Sequence, residues 1–127
     1  MKKLPFTINI IGAPITVRYW QEGDPPLEKN LAFFDESTGN VVIRPGEEGT
    51  SLHILVMHEF LHIIEVSLIQ RGFLTEEVSH DFIQYAASGL VLLLADAGII
   101  DLPMEDVLKF YETESDKLGT EQAEERR

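Results

Sequence analysis

His58, Glu59 and His62 stand in the segment "LVMHEFLHIIEV" (55–66), a run that is otherwise almost wholly apolar. In a helix, residues four apart project from one face, one turn from each other. His58 and His62 are therefore spaced so that two imidazoles reach a single metal ion. Glu59 lies about 100° further round, beside such an ion rather than aimed at it. A carboxylate in that place can take a proton from a water molecule that the metal has made acidic. This is the H-E-x-x-H arrangement of zinc hydrolases, with Glu59 as the expected catalytic general base. The plainer alternative is a solvated polar stripe. It fits poorly, because twelve apolar residues between Leu52 and Ile69 cover nearly the whole helix circumference. A helix apolar all round is expected to be buried, and burying these groups without partners costs several kcal/mol.

A catalytic zinc needs a third protein ligand and one open position. With no cysteine in the chain, that ligand must be His, Asp or Glu. From His62 to Gly72 a helix advances roughly 15 Å at its usual rise. If the next helix returns antiparallel, its polar residues within reach are Glu77, His80, Asp81 and Gln84. His80 is the expected third metal ligand. Asp81 is the next candidate, as ligand or as the carboxylate that orients a ligand histidine, and Glu77 lies about a turn earlier. His53, five residues before His58, faces elsewhere and is expected to be a first-turn residue. Tyr85, Tyr111 and Trp20 are expected to be packing residues.

The elements that must position these residues are legible in outline. "FTINII" (6–11) and "ITVRYW" (15–20) alternate as strands do, with "GAP" (12–14) between them as a turn. "LAFF" (31–34) and "NVVIRP" (40–45) are apolar runs joined by "DESTG", a hairpin connection. "QEGDPPLEKN" (21–30) is a polar loop. The first helix is predicted from Leu52 to about Gln70, with Thr50 or Ser51 as N-cap and Gly72 at the C-cap. Thr75, Glu76 and Glu77 are predicted to open the second helix, their carboxylates favoured by its dipole. That helix runs to about Asp96, with Gly98 ending it. A shorter third helix is predicted over 101–112. The expected fold class is therefore α+β. A small antiparallel or mixed sheet of three or four strands packs on the buried first helix and a second long helix. Residues 1–112 are expected to form one domain, and 113–127 a charged, disordered tail.

Composition narrows the function further. The chain has 127 residues and a formal net charge of −12. That charge argues against sequence-independent binding of nucleic acid, which requires clustered Lys and Arg. The N-terminus alternates and turns too early for a signal peptide. The apolar stretch 82–100 is interrupted by Gln84, Tyr85, Ser88 and Asp96, so no membrane span is expected there.

With "HEFLH" at 58–62, on a helix that follows a small sheet ending in "GNVVIRP", the chain resembles the zincin metallopeptidases. More narrowly, it looks like the small phage-type H-E-x-x-H proteins similar to the ImmA/IrrE group. Their second helix has the form E-E-x-x-x-x-x-A-x-G-L. "HDFIQYAASGL" (80–90) is similar, with Ala87, Gly89 and Leu90 in place and His80 and Asp81 where two glutamates stand in that group. Thermolysin-type zincins offer a second comparison, because "EVSHD" (77–81) fits their E-x-x-x-D pattern and would make Glu77 the ligand. The longer H-E-x-x-H-x-x-G-x-x-H pattern is absent: Glu65 and Leu68 occupy its last two fixed positions. The resemblance implies a metallopeptidase with one zinc per chain and a peptide or protein substrate, cytoplasmic in the host cell if phage-encoded. It also implies an edge strand that pairs with extended substrate, for which "NVVIRP" is the candidate. Two alternatives remain open: a catalytically silent zincin-like domain acting as a partner-binding or regulatory module, and a hydrolase of small amides.

Overall fold

A computed structural model describes residues 3–102. Four strands come first: β1 (Phe6–Ile10), β2 (Ala13–Tyr19), β3 (Ala32–Asp35) and β4 (Asn40–Ile43). Two helices follow, α1 (Gly49–Gln70) and α2 (His80–Asp96). The α+β class expected from the sequence is the class observed. The predicted third helix falls almost wholly beyond the described residues, as does Tyr111. Its first two positions, Asp101 and Leu102, are not helical.

The four strands form one mixed sheet in the order β1-β2-β4-β3. β1 pairs antiparallel with β2, β3 antiparallel with β4, and β2 parallel with β4. A parallel pair needs a long connection. Here the 21–30 loop, β3 and the following turn supply it. The first turn is tighter than predicted, since Ala13 and Pro14 already belong to β2 and pair with Ile10 and Asn9. Ile11 and Gly12 alone make the turn, with φ of 48° and 80°. Positive φ at both central residues matches the right-handed twist of the flanking strands.

Alternating side chains of β2 and β4 make the main core. Val17, Val41 and Ile43 are fully buried, and Ile15 nearly so. They pack with Leu52, Val56 and Ile63 of α1. A second cluster joins Ile54 of α1 to Ala87 and Val91 of α2. Thus α1 is apolar around its circumference because it lies between two apolar surfaces. By length and mean hydropathy, 22 residues at 1.6, it would also suffice to cross a bilayer.

Helix ends show where local signals were overridden. α1 starts at Gly49 with Glu48 at the N-cap, not at Thr50 or Ser51, and Glu48 makes no side-chain capping bond. Ser51 instead donates its hydroxyl to Glu47, 2.6 Å away. Gly72 does terminate α1, at φ 80°. The amides of Gly72 and Phe73 donate to Ile69 and Leu68 at 3.1 and 2.9 Å, the hydrogen-bonded close that a left-handed residue permits. α2 begins four residues later than predicted, with its N-cap at Ser79 instead of Thr75. Ser79 accepts from the Phe82 amide at 3.1 Å. Glu76 and Glu77 are exposed loop residues rather than first-turn residues. Its end at Asp96, followed by Gly98 at φ 75°, is where the sequence placed it.

Candidate metal centre

α1 sets His58 and His62 on one face, as their spacing requires. Their Nε2 atoms lie 3.0 Å apart. Only one N–H can lie along that line, so the two nitrogens converge on a point suited to a single shared proton or to a cation. α2 enters at His80, its first residue, whose ring centroid lies 5.0 Å from that of His58 and 5.7 Å from that of His62. One ring nitrogen from each of the three lies within 4.8 Å of the others. Nitrogens around a tetrahedral zinc at 2.0–2.1 Å are about 3.3 Å apart. Small rotamer adjustments would bring this set to metal-binding distances, and a donor set of three imidazoles suits zinc. His58 and His62 are half-buried and His80 is exposed, which leaves one side of the group open to solvent.

Of the sequence candidates for the third position, His80 is the one brought to the pair. Glu77 and Asp81 are exposed and stand outside the group. The later start of α2 accounts for this. With residues 75–79 outside the helix, α2 enters with His80 already beside the histidines of α1.

Sequence reasoning missed Glu65. It is 8% exposed and lies three residues after His62, on the same face of α1. One carboxylate oxygen is 3.4 Å from His62 Nδ1. The other accepts from the Val78 amide. Carboxylates in this position orient a ligand imidazole and raise its basicity. The signal was present in the sequence, since a glutamate in an apolar helix needs a partner. Asp81, assigned that role as an alternative, is exposed. The second nitrogen of His58, Nδ1, is buried with no hydrogen-bond partner among the described residues. Only His62 of the pair is oriented through its far side.

Glu59 lines the same open cleft, a space of about 600 Å³. Burial raises its carboxyl above the ordinary range, opposed in part by His62. Burial, with the neighbouring His62 and His80 imidazoles, holds His58 below its ordinary value of 6.5. His58 is thus neutral at pH 7, the form that coordinates metal.

The cleft has three walls. Ser51, Ile54, Leu55, His58, Glu59 and His62 come from α1, His80 and Gln84 from α2, and Lys29, Asn30, Leu31 and Ala32 from the approach to β3. The strand beside the site is β3, not "NVVIRP". β4 lies inside the sheet with β2 and β3 on either side, so its backbone is already paired. β3 is the edge. Among the other residues singled out, His53 turns away and its Nδ1 lies 2.7 Å from the Gly49 carbonyl. Trp20 donates its Nε1 proton to the Pro25 carbonyl at 2.8 Å and packs the 21–30 loop.

No family model, curated protein or solved structure matches the chain. The chemistry rests on the side chains themselves.

Proposed function

We propose that the protein is a zinc-dependent hydrolase, and that it cleaves a peptide bond. The observation that carries this is the convergence of His58, His62 and His80 beside a half-buried Glu59 in an open cleft. His58, His62 and His80 would hold the ion. Bound there, zinc would supply Lewis acidity to polarise a carbonyl and to lower the pKa of a water molecule.

The chain's own groups supply the rest. Glu65 fixes the His62 ring through Nδ1 and, through the Val78 amide, the segment that leads into His80. Glu59 takes the proton from the attacking water and returns it to the leaving amine. The free edge of β3 offers backbone hydrogen bonds to an extended chain running past the histidines, which is why a peptide is the favoured substrate over a compact small amide. The assembly resembles a minimal zincin, and its reaction would take place in the host cytoplasm if the chain is phage-encoded.

The test is zinc content and turnover together. Purified protein should carry about one zinc per chain and cut peptides in a broad fluorogenic library. Glu59→Gln should keep the zinc and lose the cutting. A chain that never binds zinc would end this proposal. A chain that binds zinc, captures a partner and cuts nothing would replace it with a silent zincin-like module.

A further inference from the structure

The wall contributed by residues 29–32 holds one feature that metal chemistry leaves unused. Lys29 is the one cationic side chain lining the cleft among the described residues. The other described cations are engaged or elsewhere. Arg18 pairs with Asp24 through two bonds of 2.7 and 2.8 Å. Arg44 donates to the carbonyls of Glu28 and Asn30, and Arg71 to that of Ile11. Lys3 does not line the cleft. Lys29 forms no ion pair or hydrogen bond with any described residue.

Its position is built rather than incidental. Leu27 to Asn30 form a turn closed by the Asn30 amide on the Leu27 carbonyl at 2.9 Å. Glu28, the second residue of that turn, sits at φ 55°, a left-handed conformation that disfavours a residue with a Cβ. Such a conformation persists only where the surroundings impose it. Arg44 does so, its guanidinium bonding the carbonyls on both sides of Lys29 at 2.6 and 2.9 Å. The next residue, Leu31, accepts the Arg44 amide at 2.8 Å and leads directly into the edge strand. Lys29 and the three histidines line one cleft beside the start of β3, so an extended chain bound there meets both the histidines and an ammonium group carried on a held turn.

We propose that Lys29 is the specificity-determining residue of this cleft and selects a peptide carrying a carboxylate where it passes the start of β3. The assignment rests on the peptide-hydrolase proposal above. The carboxylate belongs to an acidic side chain or to the substrate's C-terminus, since the chemistry of the contact is the same. In a chain of net charge −12, acidic peptides are otherwise repelled. A local preference for them is therefore a property of this one group.

The test uses the full chain as zinc-loaded Glu59→Gln, so that peptides bind without being cut. The probes are fluorescein-labelled octapeptides of neutral sequence in two series. One carries a single Glu or Gln at each position in turn, with an amidated end. The other has no Glu and ends in a free carboxylate or an amide. Binding is read by fluorescence anisotropy at about 50 mM and 500 mM salt, a range over which the screening length falls severalfold. An exposed ion pair of this kind is worth up to about fivefold in affinity. We expect that preference at one Glu position or at the free C-terminus, and the series showing it identifies the source. It should weaken at high salt, vanish in Lys29→Met, reverse in Lys29→Glu and survive in Lys29→Arg. An unchanged preference in Lys29→Met, or equal binding of every member of both series, would overturn the assignment. If wild-type protein still cuts the peptides in that case, the hydrolase proposal stands without it. If the preference behaves as expected but wild-type protein cuts nothing, Lys29 stands as a binding determinant and hydrolysis fails. Failure of every probe to bind at millimolar concentration would overturn both.

Discussion

Glu65 lies 3.4 Å from His62 Nδ1 with one carboxylate oxygen while its other oxygen takes the Val78 amide. One buried side chain thus joins the histidine-bearing surface of α1 to the segment that delivers His80. Removing the carboxylate charge while keeping the shape should weaken zinc binding by about 10- to 100-fold, the usual effect of losing an orienting partner in a zinc site. Competition with a chromogenic chelator on Glu65→Gln measures this. Glu65→Ala should lose more affinity than Glu65→Gln, because it also frees the Val78 amide. Equal zinc affinity in wild type and both variants would show that Glu65 has only a structural role.

The three histidines are expected to act as one unit. His58→Ala, His62→Ala and His80→Ala should each reduce bound zinc from about one per chain to near zero after gel filtration, read by elemental analysis. His80 is the most informative of the three. It is exposed, so its truncation should leave the circular dichroism spectrum unchanged. Retention of zinc in His80→Ala would return attention to Glu77 or Asp81.

Glu59 makes an expected difference of two kinds. Glu59→Gln should lower kcat/KM by about 10²- to 10⁴-fold, the usual worth of a positioned general base, with zinc content unchanged. It should also affect the metal-free protein. Burial raises this carboxyl in the folded chain, so the charged form is disfavoured by folding. The penalty is present above the folded pKa and absent below the unfolded value, ordinarily 4.5. Metal-free Glu59→Gln should therefore melt at a higher temperature than wild type at pH 7, with the gain gone near pH 4. Thermal scans across that range would refute this if the gain were constant with pH.

Arg18 and Asp24 give the opposite dependence. Their paired bonds lower Asp24 to about 2 from 3.8. A lowered carboxyl stabilises the fold above its unfolded pKa and loses that contribution as pH falls through the folded one. Asp24→Asn should melt below wild type at pH 7, and the two should converge as pH drops from about 4 toward 2. The pair closes the loop carrying Trp20 and Pro25, so trypsin should nick that loop faster in the variant.

What could be read without a structure was what short-range geometry fixes. The spacing of His58, Glu59 and His62 places them around α1 wherever that helix lies, because helix periodicity is local. Alternation in β1 and β2, the hairpin between β3 and β4, and the glycines that close both helices were legible for the same reason. The start of α2 was not. Thr75, Glu76 and Glu77 make a sound local helix opening, but the Val78 amide is taken by Glu65 from thirteen residues away, and Ser79 caps instead. That contact is tertiary, and it outweighs the local preference.

The sequence by itself determined the chemistry available: two imidazoles and a carboxylate in helical register, no thiols and an acidic surface. Only the tertiary structure decided which third histidine joins them, which buried glutamate orients His62, and which strand is the free edge beside the cleft. The same holds for Lys29, placed in the cleft by an arginine fifteen residues further along the chain. Each of these depends on how far apart two segments end up in space, which is set by packing of α1 between the sheet and α2. Residue spacing encodes neighbours along one helix or strand, but it does not encode which helix or strand lies alongside.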